Sequence, residues 1–479
     1  MENNKKQIFV DLDGTLIKTD LFLETSLNLI KSNPLQVFNL LLWLSRGRSY
    51  TKDQVTKKID IDASRLPYQS PLIDYLNEKK DQGHPLILAT ASHKTYADKV
   101  AEHLGIFDQV IATDSENNMK GARKLQAIEK FAKGNDFAYA GDSTADRVIW
   151  DKAHSNIFVN APSDLVEKAS KEGKAEKIID TRQSPKERAF LKEMRLHQWA
   201  KNMLIFVPLL TSHEYFQLGS IIYAIVAFFC FSLCASGVYF LNDLLDLEAD
   251  RRHPTKRLRP LASGDLPIPL GILGALLFPL AAFLVATYYL PLIFVMVLGI
   301  YFLTTNLYSF FLKRVSTVDV MTLAILYTLR VVAGAAATGI ILSSWLLAFS
   351  IFMFVSLAYL KRFIELFALE NQEKKAEGRG YSWEDSETMF SLGIANITAS
   401  VLVLALFINS EEIVSQYKSP ELLWGLCLLM LYWGNRIWVG ARRGKITEDP
   451  VVFAIKDRVS RIVGLGLILI VLAAHFIEI

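Results

Sequence analysis

Asn242-Asp243-Leu244-Leu245-Asp246-Leu247-Glu248-Ala249-Asp250 runs directly into Arg251-Arg252-His253-Pro254-Thr255-Lys256-Arg257-Leu258-Arg259-Pro260. Continued as a helix at ~100° per residue, the first part sets Asp243, Asp246 and Asp250 within ~60° of one another, with Glu248 on the far side. Three carboxylates then share one face. They follow an apolar run of more than twenty residues, roughly Ser220 to Leu241, so the face is expected where a helix leaves the membrane. Carboxylate oxygens suit Mg²⁺, and Arg and Lys suit phosphate. The segment reads as a site for a metal-bound diphosphate at a membrane surface.

The 479 residues around it are unevenly apolar: the first part is polar and mixed, and long apolar runs dominate from Met203 onward. A net charge of +3 is too small to argue for nucleic acid, and the cations cluster between apolar runs. Met1-Glu2-Asn3-Asn4-Lys5-Lys6 leads into a short strand, Gln7 to Val10, without a signal-like apolar region, so the N-terminal part is expected in the cytosol. Cys230, Cys234 and Cys427 lie in apolar runs and read as packing residues.

Apolar segments are expected near 203–211, 219–241, 267–289, 291–311, 319–340, 344–368, 387–409, 421–439 and 460–478, an all-α bundle of about nine transmembrane helices. The first segment is short and the fifth and sixth carry charges, so eight spans is the alternative. With a cytosolic N-terminus, nine spans place Arg251, Arg252, Lys256, Arg257, Arg259, Lys313, Arg314, Lys374, Lys375, Arg379, Arg442, Arg443, Lys445, Lys456 and Arg458 in inner loops, leaving Lys418 outside. That asymmetry favours nine, in the inner (plasma) membrane, with the C-terminus outside. Arg330, inside the fifth segment, should face a carboxylate or an anionic ligand. The small residues Gly334, Ala335, Ala336, Ala337 and Gly339 suit close helix packing.

In the polar part, Gln7 to Leu16 forms an apolar strand ending in Asp11-x-Asp13-Gly14-Thr15. One carboxylate can attack phosphorus, and the second can protonate the leaving oxygen. This resembles the first motif of the haloacid dehalogenase-like phosphohydrolases. Pro85 to Thr90, a strand ending in a hydroxyl, is similar to the second motif. Lys124, with Lys120 as substitute, matches the basic residue that steadies the phosphoryl group, and Tyr139 to Asp146 matches the last motif. The resemblance implies a Rossmann-like α/β domain over 1–165 with a small helical cap at about 20–70, one Mg²⁺ on Asp11, Asp13, Asp142 and Asp146, and phosphatase chemistry by Asp11, Asp13, Thr90 and Lys124. The apolar stretch Val37 to Leu44 is too short to cross a membrane, but could rest on one or pack on the transmembrane half. Residues 166–190, rich in Lys, Glu and Ser, read as a linker with a solvated helix.

Asn242-Asp243-x-x-Asp246-x-x-x-Asp250 is similar to the first aspartate-rich motif of the UbiA-like membrane prenyltransferases, a resemblance covering about 191–479 and implying Mg²⁺ on two such motifs. The second departs, reading Tyr359-Leu360-Lys361-Arg362-Phe363-Ile364-Glu365-Leu366. Cations there would receive anions. With Arg195-Leu-His197-Gln198-Trp199-Ala-Lys201-Asn202, His253 to Pro260, Lys361-Arg362-x-x-Glu365 and Glu448 to Arg458, the chain resembles the decaprenyl-phosphate phosphoribosyltransferases.

That resemblance implies transfer of phosphoribose from 5-phosphoribosyl diphosphate to a polyprenyl phosphate. Mg²⁺ on Asp243, Asp246 and Asp250 would hold the leaving diphosphate. Lys201, Asn242, Lys256, Arg259, Arg330, Tyr359, Lys361, Arg362, Glu365 and Arg458 would bind the substrates, and assembly into a homo-oligomer is compatible with it. Two alternatives stand beside it: conventional prenyl transfer from an isoprenoid diphosphate with an unrelated phosphatase domain, and a non-enzymatic, sensing head.

Overall fold

The computed structural model describes residues 5–114, 119–182, 185–212, 217–367, 380–446 and 449–478; Lys374, Lys375, Arg379 and Glu448 fall outside these. Two compact units form, one of Met1–Met194 with Tyr239–Ala275 and one of Arg195–Val238 with Leu276–Ile479.

The first unit begins with β1 (Gln7–Val10), α1 (Leu21–Ser32), α2 (Gln36–Ser45), α3 (Arg48–Thr56), α4 (Ser70–Asp81), β2 (Leu86–His93), α5 (Lys94–Leu104), β3 (Gln109–Thr113), α6 (Ala122–Ala132), β4 (Phe137–Gly141), α7 (Arg147–Trp150), β5 (Ser155–Val159), α8 (Ser163–Lys171), β6 (Ala175–Ile179) and α9 (Lys186–Glu193). The strands build one six-stranded parallel sheet in the order β3-β2-β1-β4-β5-β6. They are short and apolar because a parallel sheet buries both faces. Alternate residues serve opposite cores: Ile8, Val10, Leu86, Leu88, Ala138 and Ala140 fill one, and Phe9, Ile87, Ala89 and Tyr139 fill the other. β1 lies between β2 and β4, where the winding reverses, and loops diverging there open a crevice at the strands' carboxyl ends.

The expected linker over 166–190 is corrected in part. Residues 175–179 are β6, the sheet's edge, paired with β5. Glu176 explains why a charged stretch joins the sheet: it accepts from Ser155 and from Tyr75 (2.8 Å) and pairs with Lys6. The cap is helical, as expected. Its α2 leaves Phe38, Leu41 and Leu42 exposed.

The remaining helices are α10 (Val207–Thr211), α11 (Leu218–Leu245), α12 (Leu247–Arg252), α13 (Pro260–Ser263), α14 (Ile268–Tyr289), α15 (Leu292–Phe310), α16 (Val318–Thr338), α17 (Ser344–Phe367), α18 (Ser386–Ile408), α19 (Glu411–Val414), α20 (Trp424–Arg442), α21 (Pro450–Lys456) and α22 (Arg458–Phe476). Among the described residues, eight helices are long and apolar enough to cross a membrane: α11, α14 to α18, α20 and α22, two of them counted with a preceding 3₁₀ turn. They answer to eight of the nine expected segments. The first, 203–211, is built differently: a 3₁₀ helix over Leu196–Phe206 followed by the five-residue α10.

In the second unit α16 and α17 are the most enclosed spans, which is why charged residues can sit in them. The small-residue stretch of α16 packs closely: a side chain at Gly334 would run into the backbone carbonyl of Ile205. Trp199 and Asn202, one 3₁₀ turn apart, donate to Ser236 (3.0 Å) and Ser232 (2.9 Å) on α11.

Burial alone would raise the Glu176 carboxyl, but hydrogen bonds from Lys6, Ser155 and Tyr75 overcome it and hold it at about 2. A depressed carboxyl stabilises the fold above its unfolded pKa, and the contribution disappears as pH falls through the folded value. Glu176→Gln is therefore expected to lower the thermal midpoint of the head at neutral pH, with a cost of about 1–3 kcal/mol, and the gap from the parent should close between about pH 4 and pH 2. Equal midpoints at pH 7 would remove Glu176 from this role.

Candidate functional sites

The crevice beside β1 gathers the head's motif residues. Asp11 follows β1, and Asp142 follows β4, its neighbour, so strand pairing brings two distant motifs together. Gly14, at φ 78°, turns the chain beside Asp142, and any side chain there would meet that carboxylate. Lys124 Nζ lies 2.9 Å from Asp11 Oδ2 and 2.7 Å from the Tyr139 hydroxyl, which donates to Asp146 at 2.7 Å. Lys124 is buried and Lys120 exposed, so Lys124 is the lysine of the crevice.

Ligand oxygens of Asp11, Asp142 and Asp146 lie within 4.8 Å of one another, the one such group among the described residues. Hard oxygens this close fit a small divalent cation. The Asp13 side chain lies outside that group, contrary to expectation: it accepts from the Leu21 amide (2.9 Å) and the Ser92 hydroxyl (2.6 Å). Burial, with Asp20 adding its charge, pushes Asp13 up to about 7 against those hydrogen bonds. Burial and the neighbouring Asp11 and Asp146 push Asp142 up to about 8.

Thr90 accepts from the Ser92 amide at 3.0 Å, so the hydroxyl that reaches Asp13 is that of Ser92, two residues further along β2. Sequence reasoning stopped at Thr90 because β2 was expected to end there. Lys52 of the cap, close to Asp13 and Asp20 and with its ammonium pKa lowered by burial, was also missed. Nothing distinguishes it in sequence from the cap's other lysines.

The acid-rich segment does not keep one helical face. At Asp246 the backbone leaves helical geometry (φ −103°, ψ 14°) before α12 begins. Asp243 and Asp250 converge on Arg259 Nη1 at 3.1 and 2.6 Å, while Asp246 pairs with Lys31 of α1 at 3.0 Å. Three adjacent like charges repel strongly once partly buried, and each here finds a cation. Asp243 and Asp250 could hold a divalent cation at the point Arg259 now occupies. Asn242 Oδ1 is buried with no hydrogen-bond partner among the described residues. Lys256 is exposed.

In the second unit Asp449 binds Lys201 at 2.6 Å and Lys361 at 3.4 Å, and accepts from Val451 N at the start of α21. Burial works against its ionisation, yet Lys361 and Lys201 hold the carboxyl well below the ordinary range.

Arg362 departs from the expected anion receptor. It is 1% exposed, locked by Asp319, Glu365 (2.5 Å) and the Tyr308 hydroxyl (2.8 Å), so Glu365 is likewise committed to protein. Asp319 was missed, although an acid opening one apolar span and an arginine in the next is a legible signal.

Of the two partners expected for Arg330, a carboxylate or an anionic ligand, the carboxylate is not found among the described residues. Its guanidinium donates to Asn202 (2.9 Å) and the Leu326 carbonyl, and lies 5.2 to 5.4 Å from the rings of Phe231, Tyr301 and Tyr327. Neutral acceptors and ring faces satisfy it without cancelling its charge. Tyr359 is buried in the core of α16 and α17, and Arg458 is exposed.

The chain matches the model of the UbiA prenyltransferase family over residues 204–382 and that of haloacid dehalogenase-like hydrolases over residues 8–148. It is 35% identical over 465 residues to the uncharacterized protein y4nM of Sinorhizobium fredii, covering 96% of this chain and 90% of that one. With a decaprenyl-phosphate phosphoribosyltransferase of Corynebacterium glutamicum it shares 34% identity over 233 residues, 47% of this chain and 69% of that one. A solved UbiA homolog from Archaeoglobus fulgidus bound to GPP and Mg²⁺ is 13% identical, covering 60% of this chain and 100% of that one, with a TM-score of 0.45. The chain is an integral membrane enzyme that belongs to the UbiA prenyltransferase family, as a relative of the decaprenyl-phosphate phosphoribosyltransferases, and carries a haloacid dehalogenase-like hydrolase domain at its N-terminal side.

Proposed function

We propose that the membrane half transfers 5-phosphoribose from 5-phosphoribosyl diphosphate to a polyprenyl phosphate, and that the head then removes the 5-phosphate of the lipid-linked product. The observation that carries this reading is the Lys201–Asp449–Lys361 cluster. Two cations share one carboxylate, and Lys361 remains partly exposed, so the cluster keeps a net positive charge suited to a phosphate. At the acid-rich segment, the orphaned Asn242 Oδ1 asks for a hydrogen-bond donor, which a sugar hydroxyl would supply.

In the transfer, a lipid phosphate oxygen attacks C1 of the ribose, the C1–O bond breaks, and its electron pair leaves with diphosphate. Asp243 and Asp250 would hold Mg²⁺, which would neutralise charge on the leaving diphosphate, and Arg259, which pairs with both carboxylates, would then be free to bind the diphosphate. In the head, Asp11 attacks phosphorus, Asp13 protonates the departing ribose oxygen, and water then releases phosphate from Asp11. Lys124 holds Asp11 and the phosphoryl oxygens. Mg²⁺, held in the head by Asp11, Asp142 and Asp146, supplies charge neutralisation at the phosphate oxygens.

Both sites work in the cytosol in this reading, with the C-terminus outside. Residues 196–211 support it: eleven 3₁₀ residues at about 2.0 Å each and five α-helical residues at about 1.5 Å span roughly 30 Å, the thickness of the hydrocarbon core. They would make the ninth crossing.

Purified protein given ribose-labelled 5-phosphoribosyl diphosphate and polyprenyl phosphate should yield labelled lipid without a 5-phosphate, and Asp11→Asn should yield labelled lipid that keeps it. Absence of labelled lipid sinks the transferase reading, and dephosphorylation undiminished in Asp11→Asn sinks the head's part. Lys361→Ala should raise KM on the order of tenfold with thermal stability unchanged, whereas Arg362→Ala should lose about 3–5 kcal/mol of stability by stranding Asp319. The reverse pattern would exchange their roles. A periplasm-dependent reporter fused after residue 479 is expected to be active; activity of a cytosol-dependent reporter instead would mean eight crossings.

A further inference from the structure

The acid-rich segment is tied to the head's cap, within the first unit, by charges on a single helix. α1 carries Glu24 and Lys31. Glu24 receives the Arg251 guanidinium through two bonds, 2.6 and 3.0 Å, and both side chains are under 10% exposed. The geometry is fixed further from each side: Arg251 Nε donates to the Ala262 carbonyl (3.1 Å), and the Thr19 hydroxyl donates to Glu24 (3.0 Å). Lys31, two turns along α1, holds Asp246 at 3.0 Å. The exposed Arg65–Glu248 contact at 3.4 Å adds little.

We infer that α1 of the head is a structural part of the acid-rich site: Glu24 and Lys31 are positioning residues that set where Asp246 and Asp250 present their carboxylates relative to Asp243, which the long helix α11 carries. The physical reason is the break in the helix at Asp246. A continuous helix would fix the three carboxylates by itself. Here α12 is a separate six-residue helix, too short to hold its orientation alone. A cation at Asp246, its N-cap, and a buried bidentate pair at Arg251, in its last turn, hold its two ends. α1 is in turn held at its N-terminus by Asp13, which accepts from Leu21 N, so one helix connects the head's proposed acid to the proposed diphosphate site. The soluble domain then contributes to the membrane reaction through geometry, apart from its own chemistry.

The inference rests on the acid-rich segment's being the diphosphate site, and the test separates the two. In full-length protein in lipid nanodiscs, hydrogen exchange over 246–259 is followed while inorganic diphosphate is added in the presence of Mg²⁺. Parent protein should be protected on titration. Glu24→Gln and Lys31→Met should each raise the half-saturating diphosphate concentration, and the transferase KM for the donor, on the order of tenfold with kcat within about twofold, as expected on removing one partner of a hydrogen-bonded charge pair. The swap Glu24→Arg with Arg251→Glu should bring both values back toward the parent, relative to either single reversal. Unchanged half-saturation and unchanged exchange in Glu24→Gln and Lys31→Met overturn the inference, as does a swap no better than its single reversals. If diphosphate never protects the parent segment, the binding reading itself fails, whereas faster exchange in both variants would still support the positioning contacts.

Discussion

A charge removed from water must meet an opposite charge or a full set of hydrogen bonds, or it costs several kcal/mol. This constraint organises both units. It binds α16 to α17 through Asp319 and Arg362, fixes Lys201 and Lys361 around Asp449, and aims Lys124 at Asp11. It also divides the cations by role. Arg362 is committed to two carboxylates and a tyrosine hydroxyl and has nothing left to offer a ligand, whereas Lys361 shares its carboxylate with Lys201 and keeps charge in reserve. Arg330 satisfies the constraint through ring faces and a neutral amide, so its charge persists in an apolar interior.

In the head the same rule acts on top of a topological one. The winding of a parallel sheet leaves a crevice where it reverses, and the carboxylates meet there because β1 and β4 are neighbours although their motifs lie far apart in the chain. Burial raises the pKa of Asp11, Asp13 and Asp142 together. A cluster of acids that resists ionisation is held in readiness for a cation, and one lysine alone does not neutralise it.

The acid-rich segment shows how the rule reshapes local structure. Helical continuation would crowd three carboxylates; the break at Asp246 separates them between Arg259 and Lys31. The cost of that solution is a short helix dependent on outside support, which α1 provides.

The sequence by itself determined the membrane architecture, because run length reports directly on what can cross a bilayer, and the head's α/β fold was legible through motifs, short apolar pieces ending in Asp or a hydroxyl, that resemble those of the haloacid dehalogenase-like phosphohydrolases. It also located Asp11, Lys124, Asp142 and Asp146 as one site, since a motif's spacing survives without coordinates. Only tertiary structure decided the partners. That Ser92 and not Thr90 reaches Asp13, that Arg362 is spent on Asp319, that Glu176 carries a strand within an expected linker, and that Glu24 reaches Arg251 are all contacts between residues far apart in the chain. Sequence separation carries no distance, and a side chain's charge does not state whether a neighbour has already cancelled it.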